Sequence, residues 1–410
     1  MLDIRLIRHD PEGVRSALAR RGPEAAASVD SVLELDERWR ARTTEAEDLR
    51  AELNRRSRAL KGAPTSEERE QLAELSARGR ELSDEVTRLA AERDAELLSL
   101  PNLPAADAPD TDEVLREVGQ SGATGRDHLQ LAGDRIDMER AARMSGSRFA
   151  YLCGELVLLE LALVSYAFGK LIADGFEPVL PPVLTRERAL FGTGFLPDTE
   201  QQIYRLADDE LYLIGTSEVA LASLHDGEIL HGDELPKRYA GFSTCFRREA
   251  GAAGKDTRGI FRVHQFDKVE MFCFARPDQG PAEHERLLAI EEAILTELGI
   301  PYRVVAITVD DLGASAAKKY DCEAWLPGQG RYRELTSCSD TTDFQARRLD
   351  IRFRPAEGKP ATVHTLNGTA VAVGRTIIAL LENGQRDDGS VALPEALRPY
   401  GAPEVLAPPG

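Results

Sequence analysis

Three stretches of the 410-residue chain hold the residue types that handle phosphate. In the first, YAGFSTCFRREAGAAGKDTRGIFRVHQFDKVEMF at 239–272, two strand-like runs flank a glycine-rich loop. Across 237–270 stand eight basic residues (Lys237, Arg238, Arg247, Arg248, Lys255, Arg258, Arg262, Lys268) against four acids (Glu249, Asp256, Asp267, Glu270). Alternation along a strand puts cations and an aromatic ring on one sheet face. Such a face suits a phosphate held by a bidentate arginine and a purine stacked on phenylalanine. The second stretch, HTLNGTAVAVGRTIIALLENGQ at 364–385, runs a strand into Gly374-Arg375 and then an apolar helix. An arginine at a helix N-terminus opposes the helix dipole, a cost relieved when an anion sits between it and the exposed N–H groups. The third, RYRELTSCSDTTDFQARR at 331–348, sets Glu334 before Thr336, Ser337 and Ser339. A carboxylate beside phosphate-binding arginines points to Mg²⁺, which is held by one or two carboxylates plus substrate phosphates.

No nucleophile–base pair accompanies these groups, and none of the seven histidines, His264 included, shows a triad or metal spacing. No GxGxxG or GxxxxGK[ST] loop stands where a Rossmann or Walker site needs it. Two arginine sites, a carboxylate and a purine stacker suit nucleotidyl transfer, in which a substrate carboxylate attacks the α-phosphate of ATP. There a protein mainly positions groups and neutralises charge.

In wording and order the segments resemble the class II aminoacyl-tRNA synthetases. FRRE, its loop and FRVHQFDKVEMF are similar to motif 2, and GRTIIALLE is similar to motif 3. The apolar run at 154–170 followed by DGFEPVLPP, with Gly175 and Pro181, resembles motif 1, the dimer-forming element. GTSE at 215–218, RRE at 247–249, DTRGIFRVHQFDKVE at 256–270, ELTSCS at 334–339, DFQARR at 343–348 and TLNGT at 365–369 resemble the bacterial seryl-tRNA synthetase family over essentially the whole chain.

The resemblance implies a catalytic set of Arg247, Glu334 and Arg375. It places ATP against Arg247 (α-phosphate), Arg248, Glu249 (adenine), Val263, Phe266 (stacking), Glu334, Leu335, Thr336, Ser337 and Arg375 (γ-phosphate). Serine is assigned Thr216, Ser217, Glu218, Arg247, Glu270 and Thr369, and the Mg²⁺ is assigned Glu334 and Ser337. The implied partners are L-serine, ATP, tRNA(Ser) with tRNA(Sec), and a second copy of the chain through motif 1, in the cytoplasm and without a membrane. Ser217 and Thr369 depart from the family's usual Ala and Ser.

The elements that must position these residues fall into two parts, 1–104 and 105–410. Asp10 as cap and Pro11 at the first position open a short helix to about Arg20. From about 30 to 98, apolar residues recur at spacings of three and four in two halves separated by KGAPTSEE. Gly62 and Pro64 end one helix and Ser66 can cap the next. Two helices of about 30 residues would make an antiparallel coiled-coil hairpin about 45 Å long. In the family this hairpin is the tRNA-binding arm. Its basic residues Arg50, Arg55, Arg56, Arg58 and Lys61 lie in 49–66 with Glu52 as the one acid, while 30–48 is mostly acidic. The Pro- and Asp-rich 100–113 reads as a linker. Beyond it, strand-like runs at 177–184, 212–215, 268–274 and 301–309 alternate irregularly with helices at 154–170 and about 281–298, which predicts an α+β domain on an antiparallel sheet.

The net charge of −19 argues against a polyanionic partner on average, because nucleic acid is bound at Lys and Arg. The hairpin and the 237–270 segment are the two local reversals. Five scattered cysteines without a CxxC pair argue against disulfides or a structural zinc and fit a reducing compartment. The charged N-terminus is not a secretory signal. The apolar 156–168 run, interrupted by Glu160, falls short of the ~20 residues that span a bilayer and reads as a buried helix. A ligase acting on a carrier protein would typically lack the hairpin, and a non-catalytic tRNA binder would lose a motif 2 or motif 3 arginine. Both features are retained here.

Overall fold

The computed structural model describes residues 1–60, 62, 64–197, 202–250, 254, 256 and 258–409. It separates into two compact units, Met1–Leu103 and Pro104–Gly410.

The first unit opens with helices Ile4–His9 and Pro11–Ala19. Asp10 caps the second of these by accepting from the Gly13 N–H. Two long helices follow, α1 (Pro23–Ala59) and α2 (Ser66–Ser99). α1 starts seven residues before the expected position, because Pro23 is tolerated at a first turn and the following EAAA is strongly helix-forming. At 37 and 34 residues the helices are about 55 and 51 Å long, not about 45 Å. The cap of α2 is Thr65 and not Ser66. Thr65 stands three residues before Glu68, so its hydroxyl accepts the Glu68 N–H while Glu68 accepts the Thr65 N–H, a reciprocal pair that Ser66-x-x-Arg69 cannot make.

The apolar core of this unit gathers at the base of the hairpin, around Ile7, Val14, Leu18, Val29, Val32, Leu97 and Leu100. Just above it Asp36, with no exposed surface, takes a bidentate pair from Arg8 (2.7 and 2.6 Å) and further contacts from Arg40 (3.0 Å) and Arg93 (3.5 Å). Burial works to raise its carboxyl, but the arginines outweigh it and hold Asp36 below the usual range. Towards the tip Arg50, Arg55, Arg56 and Arg58 are exposed, and Glu52 pairs with Arg55 and Arg56. Lys61 lies outside the described residues.

The second unit is built on an eight-stranded sheet: β1 (Glu113–Val118), β2 (Glu177–Val179), β3 (Lys237–Phe246), β4 (Gln265–Ala275), β5 (Tyr302–Ala306), β6 (Lys318–Leu326), β7 (Arg331–Asp340) and β8 (His364–Ala372). The spatial order is β1-β5-β6-β7-β8-β4-β3-β2. Every pairing is antiparallel except β2 with β3. The expected strand at 177–184 is two pieces in different sheets, because Pro181 and Pro182 cannot donate to a ladder.

One face of the sheet is covered by α3 (Glu155–Ala173), α4 (Gly280–Glu297) and α5 (Val373–Asn383). Leu159 and Leu163, Leu287 and Ile294, and Ile377 and Leu381 pack there against Met271, Cys273 and Val304. α3 is long and apolar enough in composition to cross a membrane. Its inner face is core instead, while Val157, Leu158, Leu161 and Ile172 on the outer side are exposed. The opposite face of the sheet carries the polar groups.

Candidate active site

Alternation selects which side chains reach that polar face. On β4, Val269, Met271 and Cys273 turn to the helices, so Lys268 and Glu270 turn the other way. On β7, Glu334 and Ser337 are three residues apart and would face opposite sides of a regular strand. A bulge resolves this: Cys322 pairs with Thr336 and Glu323 with Glu334, leaving Leu335 unopposed. Glu334 and Ser337 therefore line the same cleft, while Thr336 faces the helices and its hydroxyl donates to Glu291 at 2.7 Å. A second bulge, at Ala370, keeps Thr369 opposite Glu270 and brings Asn367 and Thr369 to the polar face.

The cleft consists of two adjoining cavities of about 590 and 90 Å³. Arg247, Glu249, Arg262, Lys268, Glu334, Ser337 and Thr369 line both. The larger also takes in Thr216, Glu218, Glu270 and Asn367, and the smaller Phe261, Val263, Phe266, Leu335 and Arg375. Twelve of the expected residues are thus gathered: Thr216, Glu218, Arg247, Glu249, Val263, Phe266, Glu270, Glu334, Leu335, Ser337, Thr369 and Arg375. Three are not. Arg248 is exposed and lines neither cavity; its backbone N–H donates to the carbonyl of Gln202, a cleft residue, at 2.8 Å. Ser217 is buried with its hydroxyl 2.7 Å from that of Ser243. Thr336 points away as described.

In the smaller cavity the Arg375 guanidinium, in the first turn of α5, donates to the Glu334 carbonyl at 3.0 Å and lies 3.5 Å from its carboxylate. Burial works to raise the Glu334 carboxyl, but the charges of Arg375, Lys319 and Arg247 outweigh it and hold it below the usual range. Phe261 is flanked by Arg333 (3.7 Å) and Arg375 (4.6 Å). The Arg247 guanidinium lies 5.3 Å from the Phe266 ring centre. Glu249 pairs with Arg262 at 2.6 Å.

In the larger cavity Lys268 reaches the Thr216 hydroxyl at 2.7 Å and Glu270 at 2.5 Å. Burial pushes Glu270 up, against the pull of Lys268 and Arg247. Glu218 accepts from Gln345 (2.7 Å) and Asn367 (3.0 Å). Burial and the charge of Glu270 push it up to about 7.

That shift has a measurable consequence. Between the ordinary value of 4.5 and about 7, the folded chain holds a proton on Glu218 that the unfolded chain does not. Stability from this group is therefore present at low pH and lost as pH rises through the folded value. Glu218→Gln removes that dependence. In thermal melts the variant should gain on the parent between about pH 5 and about pH 8, and a constant difference would contradict the shift.

Lys268, Arg262, Phe261 and Asn367 line the cleft without having been assigned to it, and Gln345, fully buried, stands behind Glu218. Lys268 could have been found, since it lies two residues from Glu270 on one strand. Gln345 carries no such signal, because it reaches Glu218 from the short helix Phe344–Arg348.

Known proteins resemble this chain in sequence and fold. Residues 202–384 match the tRNA synthetase class II core domain (G, H, P, S and T), and residues 1–104 match the seryl-tRNA synthetase N-terminal domain. The serine–tRNA ligase of Streptomyces coelicolor is 52% identical, with all of this chain aligned to 99% of it. That of Thermobifida fusca is 50% identical at the same coverage. The chain belongs to the seryl-tRNA synthetase family.

Solved seryl-tRNA synthetases overlay it end to end. The Pyrococcus horikoshii enzyme, complexed with ATP, is 43% identical with a TM-score of 0.95 over 100% of both chains. The cytoplasmic serine–tRNA ligase of Naegleria fowleri, in complex with AMP, is 33% identical with a TM-score of 0.89 over 99% of both. As a seryl-tRNA synthetase the chain is a class II aminoacyl-tRNA synthetase, and the segments that resemble motifs 1, 2 and 3 fall on α3 and β2, on β3 and β4, and on α5.

Proposed function

We infer that the larger cavity takes L-serine and the smaller one ATP, and that the chain joins them as seryl-adenylate before charging tRNA(Ser). The observation that carries this is the set of residues common to both cavities. An amino acid in one is directly adjacent to a nucleotide in the other, as in-line attack requires.

Glu270 offers a buried carboxylate to the substrate ammonium. Thr216 and Thr369 offer hydroxyls to the substrate hydroxyl, a kind of pairing that rejects an analogue lacking the group. Arg247, at the junction, faces the point where a serine carboxylate oxygen bonds to the α-phosphorus as the bond to the pyrophosphate oxygen breaks. Its positive charge offsets the negative charge gathered there. Phe266 and Val263 bracket the base and Arg375 takes the γ-phosphate. Among the described residues no three His, Cys, Asp or Glu side chains cluster as a metal site. The ionised Glu334 with the Ser337 hydroxyl beside it fits Mg²⁺ that keeps phosphate oxygens as further ligands. Bound there, Mg²⁺ would offset phosphate charge.

Arg50, Arg55, Arg56 and Arg58 supply the phosphate-binding face of the arm. The exposed apolar residues of motif 1, Leu158 (51%), Leu161 (59%) and Leu180 (77%), supply a face for a second copy of the chain. Tasks of this kind belong in the cytoplasm.

Glu270→Gln tests the pocket. It keeps the shape and removes the charge, so the KM for serine in pyrophosphate exchange should rise about a hundredfold, as when a buried charge pair loses one partner. The KM for ATP should stay within about twofold. A matching rise in both would reject this assignment of the larger cavity.

A further inference from the structure

His128 belongs to neither cavity, yet it is tied to both ends of the nucleotide-side machinery. It is the first residue of the short helix His128–Ala132 and is 5% exposed. Its Nδ1 lies 3.2 Å from Glu382 Oε1, and its Nε2 lies 3.3 Å from the backbone nitrogen of Ile260. A backbone N–H can only donate, so Nε2 must be the bare nitrogen and Nδ1 the one that donates to Glu382. Glu382 is fully engaged in holding that tautomer. Its Oε1 also accepts the His128 backbone N–H (3.1 Å), and its Oε2 accepts the Gly328 N–H (2.8 Å).

The contact is too close for any residue but glycine at 259. There φ is +80°, and a Cβ would stand 2.1 Å from His128 Nε2. Ile260 leads directly into Phe261, and both line the smaller cavity. Phe261 in turn lies 4.6 Å from the guanidinium of Arg375. Arg375 and Glu382 are the opposite ends of the same helix, α5. The chain of contacts is therefore closed: Arg375, α5, Glu382, His128, Ile260, Phe261 and back to Arg375.

We propose that His128 is a positioning residue for ATP. Through the Ile260 N–H it fixes the return of the motif 2 loop against motif 3, and so the width of the smaller cavity. It touches neither the reacting atoms nor the serine side. This rests on reading the smaller cavity as the nucleotide site.

His128→Ala leaves the Ile260 N–H buried without a partner and should raise the KM for ATP in pyrophosphate exchange about tenfold. The KM for serine should stay within about twofold, since nothing in this chain of contacts reaches the larger cavity. His128→Gln can still accept from Ile260 and donate to Glu382, and should recover most of the ATP affinity. Glu382→Gln, which keeps the shape and loosens the hold on Nδ1–H, should give the same split at smaller size. An equal rise in both Michaelis constants, or an unchanged KM for ATP, would overturn the role. Arg375→Ala separates the two readings. If it abolishes exchange while His128→Ala changes nothing, the positioning role alone fails. If Arg375→Ala keeps full exchange, the nucleotide reading fails and this inference with it.

Discussion

Arg375→Ala should abolish serine-dependent pyrophosphate exchange, with a loss of at least about a thousandfold. The size follows from how much converges on one guanidinium. Arg375 lies 3.5 Å from the carboxylate of Glu334, its donor N–H holds the Glu334 backbone, and its guanidinium carbon lies over the Phe261 ring. Without it the Glu334 carboxyl loses the largest of the opposing charges that keep it ionised against burial. One substitution would thus remove the cation we assign to the γ-phosphate and weaken the carboxylate we assign to Mg²⁺. Arg375→Lys should recover only part of the activity, because an ammonium restores charge without the two-pronged geometry. The check is exchange at saturating ATP on protein whose circular dichroism matches the parent. Full exchange in the alanine variant would remove Arg375 from the phosphate site.

The second large effect separates activation from charging. Removing 41–92 and closing the stub with a short glycine turn should leave pyrophosphate exchange within about twofold and lower aminoacylation of tRNA at least about a hundredfold. The cut is placed above the base core, so Val29, Val32, Leu97 and Leu100 remain, as do Asp36 and the Arg93–Trp39 stack at 4.4 Å. What is lost is the exposed run of Arg50, Arg55, Arg56 and Arg58, the face we assign to tRNA phosphates. Unchanged charging would make the arm a spacer.

The relation between sequence and site shows in the strands. The step from Lys268 to Glu270 is readable by alternation alone, and so is the burial of Val269 and Met271 between and beyond them. Glu334 and Ser337 are not readable that way. Strict alternation would have separated them, and their shared face depends on a bulge at Leu335 that no local residue pattern announces. Resemblance to a family carried them as a block, and for the same reason carried Thr336 into the cleft, where its side chain does not belong. Arg248 went with it, because RRE is one word in sequence but its middle side chain points to solvent. In the hairpin, heptad spacing revealed the helices, whereas their ends depended on cap chemistry. Thr65 outcompetes Ser66 through Glu68.

The buried Asp36 has a consequence for length. A hairpin whose shaft buries so few apolar side chains could slide by a heptad at little hydrophobic cost. Asp36 forbids it, because a slipped α2 would withdraw Arg93 from a carboxylate that has no water to turn to. Arg8, from a helix outside the pair, anchors the same carboxylate from below. The two strands of the shaft are thereby set in one alignment, and the spacing from the base of the arm to its basic end is a constant of the molecule. The arm is a ruler with its zero mark at Asp36.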